Sequence, residues 1–422
     1  MKRIALITHE RSPIGGLATL TTFLHRTLSE SGRYQPELIS LATSADDSAS
    51  LRLKSPRSWA TGARLEEAGW QDLSIIHAGA WGAELEFQRY RPRHSLRDLF
   101  AQFDLLQFIV GSPPWVCSAL PNRRPIFLWT ATTTRADRLT RMRSLSPARR
   151  AWAGAMVSLA ERYEHRALRA ADQIFALSEY TRCSIESISG REDVILAPCG
   201  VDTDLFHPAN ERTADKGDFI LCVARFSDPR KNVRLLLEAY AMLVERMEAV
   251  PDLYLIGDPD EESIRSQLVS IGLGARVKLI APRPIEELAE LYRHARCVVL
   301  SSNEEGLGIV IIEAMASGIP VVSTACGGPA TAITDGETGF LVPIGDRSAL
   351  ADAMERVLVD PDLRIRMGAR GREVALERFS FAAAGKVFLD RYDAALQVER
   401  GEEEVATSSA GVTDSRAVSV SS

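Results

Sequence analysis

Several features that would indicate other classes of protein are missing from this sequence. The six cysteines are widely separated, with no Cys-x-x-Cys pair and no histidines at zinc-finger spacing, so neither a disulfide framework nor a zinc site is predicted. Basic residues do not predominate: the net charge is −6, and proteins that follow a nucleic-acid backbone usually carry a basic balance. No nucleic-acid partner is therefore expected. Lysine is scarce, with only six residues, so a lysine at a meaningful position is informative.

Long apolar runs are also absent. A helix that spans a bilayer needs about 20 apolar residues, and the best candidate, 105–120, is interrupted by Gly111, Pro113 and Pro114. The apolar run near the N-terminus is too short for a signal-peptide core. With 422 residues and 45% hydrophobic content, the chain is long enough for two domains with separate cores. These features predict a cytoplasmic protein with reduced thiols.

The N-terminal half alternates strand-like apolar runs with helical or polar stretches. This alternation predicts a parallel sheet covered by helices, and the runs are Ile4–Ile7, Leu38–Leu41, Leu73–Ile76, Leu105–Val110, Ile126–Trp129 and Gln173–Leu177. Gly15 and Gly16 follow the first run and precede a helical pattern, so a ligand is expected at the carboxyl end of that strand. A dinucleotide-binding fold is the rival interpretation, but the Gly-x-Gly-x-x-Gly pattern is absent.

The C-terminal half repeats this organisation after a polar segment, 210–218, which is the best linker candidate. Strands are predicted at Phe219–Ala224, Leu253–Gly257 and Val277–Ile280, with helical spacing between the first two. From Gln397 onward the chain is rich in Glu, Ser, Thr and Gly, and we expect a disordered tail over 397–422.

The most informative stretch, 301–324, reads SSNEEGLGIVIIEAMASGIPVVST. It predicts a loop, a short helix ended by Gly318 and a buried strand from Pro320. The free N–H groups at the start of the helix form a site for an anion such as phosphate. Because carboxylates repel phosphate, Glu305 and Glu313 are expected to accept hydrogen bonds from hydroxyl groups beside it. For Glu305 alone, helix-dipole electrostatics would be a sufficient explanation.

Taken whole, the stretch resembles the signature of the retaining glycosyltransferases of family 4, two-domain enzymes of the GT-B type. That signature is Glu, seven residues, Glu, and then Ala-Met-Ala-x-Gly-x-Pro-Val-Val, which here extends from Glu305 to Val322. The one departure is Leu307, where the family usually has an aromatic residue. The resemblance covers 1–396, closely in the C-terminal half and loosely in the N-terminal half. It implies an α/β fold of two Rossmann-like, doubly wound domains that face each other across a cleft.

The resemblance also implies a role for each matching residue. Glu305 would hold the hydroxyl groups of the donor sugar together with the amides that follow it, and Glu313 would hold the ribose. Arg225 and Lys231 would hold the diphosphate, and Glu305, Arg225 and Lys231 form the implied catalytic set. The implied donor-binding residues are Gly16, Arg225, Lys231, Pro282, Arg283, Glu305, Gly306, Leu307, Gly308, Ile309 and Glu313.

Two details of the phosphate-binding turn leave alternatives open. The spacing from Arg225 to Lys231 is one residue longer than the family pattern, so Arg230 could share the role of Lys231. Asn232 stands where a glycine is common. The segment Asp258-Pro259-Asp260 matches the Asp-x-Asp metal motif of the other glycosyltransferase fold. We discount it, because proline stiffens this turn. The resemblance implies no metal and no cofactor, since in the family Arg, Lys and a helix N-terminus already neutralise the diphosphate.

The acceptor side of the site is harder to assign. Many relatives carry a histidine just after a central strand of the N-terminal domain, whereas the corresponding run here, 125–134, contains none. His9, at the end of the first strand, is the histidine best placed to face the cleft, although a lone histidine is more often structural. Cys199 stands where the family commonly has an asparagine.

The segment 135–169 is strongly basic, with nine arginines against three acids. Leu145, Trp152, Met156 and Leu159 fall at spacings of seven, four and three, so a basic helix with one apolar face is predicted. Two interpretations remain open: the apolar face packs against the sheet, which we favour, or the helix docks at the inner face of an anionic membrane.

The resemblance implies a hexosyltransferase that is retaining and independent of metal. It would move a sugar from a nucleotide-diphosphate donor to a hydroxyl acceptor: a sugar, a lipid-linked sugar or a small molecule. Polysaccharide, glycolipid or other glycoconjugate biosynthesis is the expected setting. The predicted domains are 1–209 for the acceptor and 210–380 for the nucleotide sugar, with a helix at 381–396 that returns to the first domain. A nucleotide-sugar epimerase and a catalytically silent sugar-nucleotide-binding protein are the alternatives.

Overall fold

The structure, a computed structural model, describes residues 1–9, 15–44, 46–70, 73–82, 84–143, 146–209, 217–258 and 261–397. Within these residues the strands form two sheets, one in each half of the chain. Most of the linker expected at 210–218 and nearly all of the tail expected at 397–422 lie outside the described residues.

The first sheet has eight strands in the order β3-β4-β2-β1-β5-β6-β7-β8. They are β1 Lys2–Thr8, β2 Tyr34–Leu41, β3 Leu65–Trp70, β4 Leu73–Ala78, β5 Leu105–Val110, β6 Ile126–Thr130, β7 Gln173–Ala176 and β8 Ile195–Leu196. The six runs predicted from the sequence are all strands. The two that were not predicted are β8, which has two residues, and β3, whose sequence LEEAGW is largely polar and which pairs antiparallel with β4.

The second sheet has six parallel strands in the order β11-β10-β9-β12-β13-β14. They are β9 Phe219–Val223, β10 Asp252–Ile256, β11 Val277–Ile280, β12 Cys297–Leu300, β13 Val321–Thr324 and β14 Gly339–Val342. Two parallel-sheet, Rossmann-like domains were predicted, and this is confirmed.

Fourteen α-helices are described. They are α1 Gly16–Glu30, α2 Pro56–Thr61, α3 Glu86–Arg89, α4 His94–Phe100, α5 Thr134–Arg143, α6 Pro147–Ala170, α7 Glu179–Ser189, α8 Val233–Arg246, α9 Glu261–Ser270, α10 Ile285–His294, α11 Ile309–Ala316, α12 Arg347–Val359, α13 Pro361–Val374 and α14 Phe381–Leu396. Short 3₁₀ helices occur at Pro113–Ala119, Pro229–Lys231 and Gly328–Thr331, and a short π-helix at Ala375–Phe379. No helix among the described residues has both the length and the apolar content that crossing a bilayer requires.

The carboxyl ends of the two sheets face each other. A Cβ placed on Gly306, in the loop after β12, would lie 2.9 Å from the carbonyl oxygen of Ala131, just after β6. The backbone N–H of Glu179 at the start of α7 donates to Thr331 of the second domain at 3.0 Å. Since all the parallel strands of a sheet end at the same edge, the loops of both domains line one cleft.

The last helix, α14, packs on the first sheet. The ring of Phe388 lies 4.7 Å from Trp129 of β6 and 4.7 Å from Phe175 of β7, measured between ring centroids. The Tyr392 hydroxyl donates to the buried amide oxygen of Gln107 at 2.6 Å, and Asp393 accepts from Arg33 and Tyr34. The first domain is therefore built from both ends of the chain.

The basic helix predicted within 135–169 is present as α6, and a second helix, α5, precedes it. Leu145 lies outside the described residues, and Ser146 and Pro147 stand at the start of α6, where proline is well tolerated. The buried face of α6 is Val157, Ala160, Glu164, Ala167 and Leu168. Trp152, which was expected on the apolar face, is 63% exposed. The core contact is thus made by the second half of the helix only.

Candidate active site

The loop between β12 and α11 forms the centre of the candidate site. Gly308 precedes the helix with a φ of +83°, and a Cβ there would lie 2.7 Å from Ile311 Cδ1. A glycine is required at this position, because other residues rarely adopt such a φ. Leu307 is buried in the core and fills the place of the expected aromatic residue. The anion site expected at the first N–H groups of α11 stays a prediction.

Within this loop, Glu305 pairs with a cation from the turn after β9. The ammonium group of Lys231 donates to Glu305 Oε1 at 2.6 Å, and Ser302 Oγ donates to the same oxygen at 2.6 Å. The Glu305 side chain is 10% exposed, and its Oε2 has no hydrogen-bond partner among the described residues. The two residues predicted to bind the sugar and the diphosphate thus lie side by side, with one carboxylate oxygen available to a ligand.

The turn that carries Lys231 is fixed by hydrogen bonds to the same loop. The backbone N–H of Asn303 donates to the carbonyl oxygen of Arg230 at 2.7 Å. The hydroxyl of Ser301 donates to the carbonyl oxygen of Lys231 at 3.0 Å. Asn232 has a φ of +44° and a ψ of 50°, the left-handed conformation that glycine and asparagine tolerate best. This conformation explains why asparagine can replace the common glycine.

The two arginines of the turn have different environments. The Arg225 side chain is 59% exposed and lies 3.9 Å from Asp228. Both residues line a small surface pocket of about 330 Å³ in the second domain, together with Ser227, Pro229 and Asp258. The structure does not bring Arg225 into contact with Glu305. The Arg230 guanidinium is bound by the carboxylates of Asp228 and Asp137. Lys231, and not Arg230, is therefore the cation at Glu305.

Pro282 and Arg283 lie in the exposed turn after β11, and Arg283 is 3.7 Å from Glu287. They make no contact with Glu305, because β11 is three strands away from β12 in the sheet. At about 4.8 Å for each strand, this separation is roughly 14 Å. Of Asp258-Pro259-Asp260, only Asp258 is described, and it accepts a hydrogen bond from Ser227 Oγ at 2.7 Å.

Glu313 is buried on α11, where the Tyr292 hydroxyl donates to its Oε2 at 2.8 Å. Burial raises the pKa of Glu313 to about 7, because the charged carboxylate loses its hydration. The bond from Tyr292 favours the charged form but does not offset this effect. Part of the Glu313 population is therefore protonated at neutral pH.

This pKa makes the contribution of Glu313 to stability depend on pH. The folded protein holds the Glu313 proton more tightly than the unfolded chain, so stability falls as the pH rises from about 4.5 to about 7. Glutamine does not ionise, so the Glu313→Gln variant does not lose stability in this way as the pH rises. We expect the free energy of unfolding of the variant, relative to the wild type, to rise by up to about 3 kcal/mol between pH 4.5 and pH 8. Urea titrations at several pH values measure it, and a difference that does not change with pH would contradict the assignment.

Two predicted groups approach from the first domain. Gly16, the first residue of α1, lies opposite α11, since a Cβ placed on it would be 3.9 Å from Ile309 Cδ1. His9 accepts a hydrogen bond from Gly111 N at 3.0 Å and stacks on Trp115. Burial lowers the pKa of His9 to about 4, so the ring is neutral at physiological pH. A structural role accounts for these contacts.

Sequence reasoning missed three residues that shape the site. Ser302 fixes Glu305, Tyr292 fixes Glu313, and Asp137 binds Arg230 across the cleft. Ser302 lies within the signature stretch, so its hydroxyl three residues before Glu305 was a usable signal. Tyr292 and Asp137 lie on other elements, and nothing in the sequence marked them.

Comparison with protein families matches 205–374, less than half of the chain, to the model described as Glycosyl transferases group 1. Similar curated proteins include two named D-inositol 3-phosphate glycosyltransferase. The one from Corynebacterium efficiens is 33% identical over 216 residues, which cover 47% of this chain and 50% of that protein. The one from Frankia alni is 35% identical over 224 residues, which cover 49% and 54%. The chain spans about half the length of the curated relatives it matches.

Solved structures match nearly the whole chain. Sucrose-phosphate synthase from Thermosynechococcus elongatus has a TM-score of 0.73 at 22% identity and covers 94% of this chain and 100% of its own. Anabaena HepE in complex with UDP and glucose has a TM-score of 0.67 at 16% identity and covers 93% and 100%. These likenesses show the fold, and they confirm the predicted GT-B architecture.

Proposed function

Since residues 205–374 form a domain of the glycosyl transferases group 1 family within a chain of GT-B fold, we propose that the protein is a retaining hexosyltransferase. It moves a sugar from a nucleotide-diphosphate donor to a hydroxyl acceptor. The observation that carries the proposal is the Lys231–Glu305 pair at the start of α11, 2.6 Å apart and facing the first domain. One side chain of this pair suits a diphosphate, and the other suits sugar hydroxyls.

The order of strands in the second sheet supports a donor that lies along its carboxyl edge. The base would lie at the turn after β11, next to Pro282 and Arg283. The diphosphate would lie at Arg225 and Lys231 after β9, and the sugar at Glu305 after β12. An extended nucleotide sugar can bridge the roughly 14 Å between the first and last positions. Glu313, on α11, would receive the ribose hydroxyl groups.

The main chemical difficulty of the proposed reaction is the charge that develops on the departing diphosphate. Lys231, Arg225 and the N-terminal amides of α11 would stabilise that charge, so no metal is needed. Glu305 is engaged by Lys231 and Ser302, which favours a role in holding hydroxyl groups over a role as covalent nucleophile. The acceptor would then attack from the leaving-group face, with the diphosphate taking its proton, and the anomeric configuration would be retained.

The acceptor is proposed to be a sugar, a lipid-linked sugar or a small polyhydroxylated molecule, within polysaccharide, glycolipid or other glycoconjugate biosynthesis. The two relatives named for D-inositol 3-phosphate support a hydroxylated ring. The six free thiols favour a reducing compartment, so we place the protein in the cytoplasm. Exposed Trp152 beside exposed Arg149 and Arg150 supports peripheral contact with an anionic membrane.

A thermal-shift screen of UDP-, GDP- and ADP-sugars tests the proposal. We expect one class to raise the melting temperature by several degrees at concentrations well above its Kd. The stabilising donor is then incubated with a panel of hydroxyl acceptors, and transfer with retained configuration is read by NMR. Epimerisation of the donor alone would indicate the epimerase alternative. Binding without transfer to any acceptor would indicate the silent binder.

A further inference from the structure

Arg230 joins the two domains through its side chain. Its Nη1 donates to Asp137 Oδ1 of α5 at 3.0 Å, and its Nη2 donates to Asp228 Oδ2 at 2.7 Å. The Arg230 side chain is 16% exposed. Asp137 belongs to the helix that follows β6, whereas Arg230 and Asp228 belong to the turn after β9. This ion pair is therefore a contact across the cleft, well shielded from solvent.

The backbone of Arg230 connects the same residue to the donor loop. Its carbonyl oxygen accepts the bond from Asn303 N, two residues before Glu305. The next residue in the chain is Lys231, whose ammonium group pairs with Glu305. Any movement of the Arg230 turn relative to α5 is consequently transmitted to both groups that would bind the donor.

The charges around Arg230 are unbalanced. Asp137 and Asp228 are bonded to the guanidinium, and Glu304 lies near enough to interact electrostatically with it. Arg230 thus lies between carboxylates that belong to opposite domains. If Arg230 is removed, Asp137 faces Asp228 across the cleft, and only the largely exposed Arg225, 3.9 Å from Asp228, remains beside this carboxylate. Like charges in a poorly solvated site repel each other.

We propose that Arg230 is a positioning residue that, through Asp137, holds the two domains closed over the donor site. The effect on catalysis rests on the function proposed above, whereas the effect on the arrangement of the domains does not. Because the charges are unbalanced, replacing Arg230 is expected to weaken domain closure more than replacing Asp137. Replacing Asp137 as well is expected to restore part of the closure that the Arg230 variant loses.

Small-angle X-ray scattering of the full chain without ligand tests the proposal directly. The variants are Asp137→Asn, Arg230→Gln and the double variant, with Arg234→Gln as the control. Arg234 makes an exposed ion pair with Glu238 within α8, so this control changes the net charge as Arg230→Gln does. We expect the radius of gyration to increase most in Arg230→Gln, to increase less in Asp137→Asn and the double variant, and to stay at the wild-type value in the control.

Kinetics with the donor found in the screen provide the second measurement. We expect kcat/KM to fall about 30-fold in Arg230→Gln and roughly fivefold in Asp137→Asn and in the double variant. The Kd of the nucleoside diphosphate should stay within about twofold of wild type in Asp137→Asn, because Asp137 does not touch the donor loop. A merely structural residue would not separate kcat/KM from Kd in this way.

Equal radii of gyration in all variants, or a double variant worse than Arg230→Gln, would overturn the proposal. If the radii change as expected while the wild type transfers no sugar, the positioning role stands and the proposed function fails.

Discussion

Replacing Glu305 with alanine is expected to lower the rate of sugar transfer by about three orders of magnitude. The substitution removes the carboxylate that would hold the donor sugar. It also leaves the Lys231 ammonium group without its partner in a poorly solvated site, since the Glu305 side chain is only 10% exposed. Binding of the nucleoside diphosphate should persist, because Lys231 then has only the phosphate to pair with. Initial rates and isothermal titration calorimetry, measured on the same preparation, separate the two effects.

Two further variants sharpen this experiment. Ser302→Ala removes one of the two bonds that orient Glu305, and we expect a loss of about tenfold in the rate. Glu337→Ala, which removes an exposed acid from the same domain, is the matched control and should keep the wild-type rate. A rate near the wild-type value in Glu305→Ala would remove Glu305 from the site.

The second large effect is expected from Lys231→Met, which keeps the length and apolar stem of the side chain but removes its charge. We expect kcat to fall about a thousandfold, because the developing charge on the diphosphate loses its nearest cation. The Kd of the nucleoside diphosphate should rise as well, by roughly tenfold, since the ground-state diphosphate is already charged. Steady-state kinetics and calorimetry measure both quantities.

Lysine is rare in this chain, and the second domain supplies a suitable control. Lys278 on β11 is exposed and pairs with Asp252 at 2.9 Å. Lys278→Met therefore makes the same chemical change at a distance from the cleft, and both kcat and Kd should be unaffected. If Lys231→Met behaved like Lys278→Met, the diphosphate could not lie at Lys231.

The signature stretch carried most of what the sequence could predict about the site. Its loop, helix and strand are continuous in the chain, so local spacing was enough to place Glu305, Gly308 and Glu313 on their elements. Asn232 was also noted as a substitution for a common glycine, but its left-handed conformation was not predicted. The donor-binding roles of these residues remain predictions that the variants above will test.

Contacts between distant elements were beyond the reach of sequence reasoning. Asp137 and Arg230 are 93 residues apart, and no sequence motif contains both of them. The exposure of Trp152 was missed because the spacing of Trp152, Met156 and Leu159, all within α6, fits a helix whether or not that face is buried. Tertiary packing decides which face is used, and here it selected the face that contains Val157 and Leu168.

The position of α14 has a consequence for synthesis of the protein. Phe388 and Tyr392 complete the core of the first sheet, yet they follow the whole of the second domain in the chain. At about 5–20 residues per second, the ribosome adds these side chains some tens of seconds after β8 has been made. During this time the part of the first sheet that α14 covers stays exposed, until the second domain and α14 have been synthesised. A fragment that ends near residue 209 would lack α14 altogether, so we expect it to aggregate unless α14 is supplied.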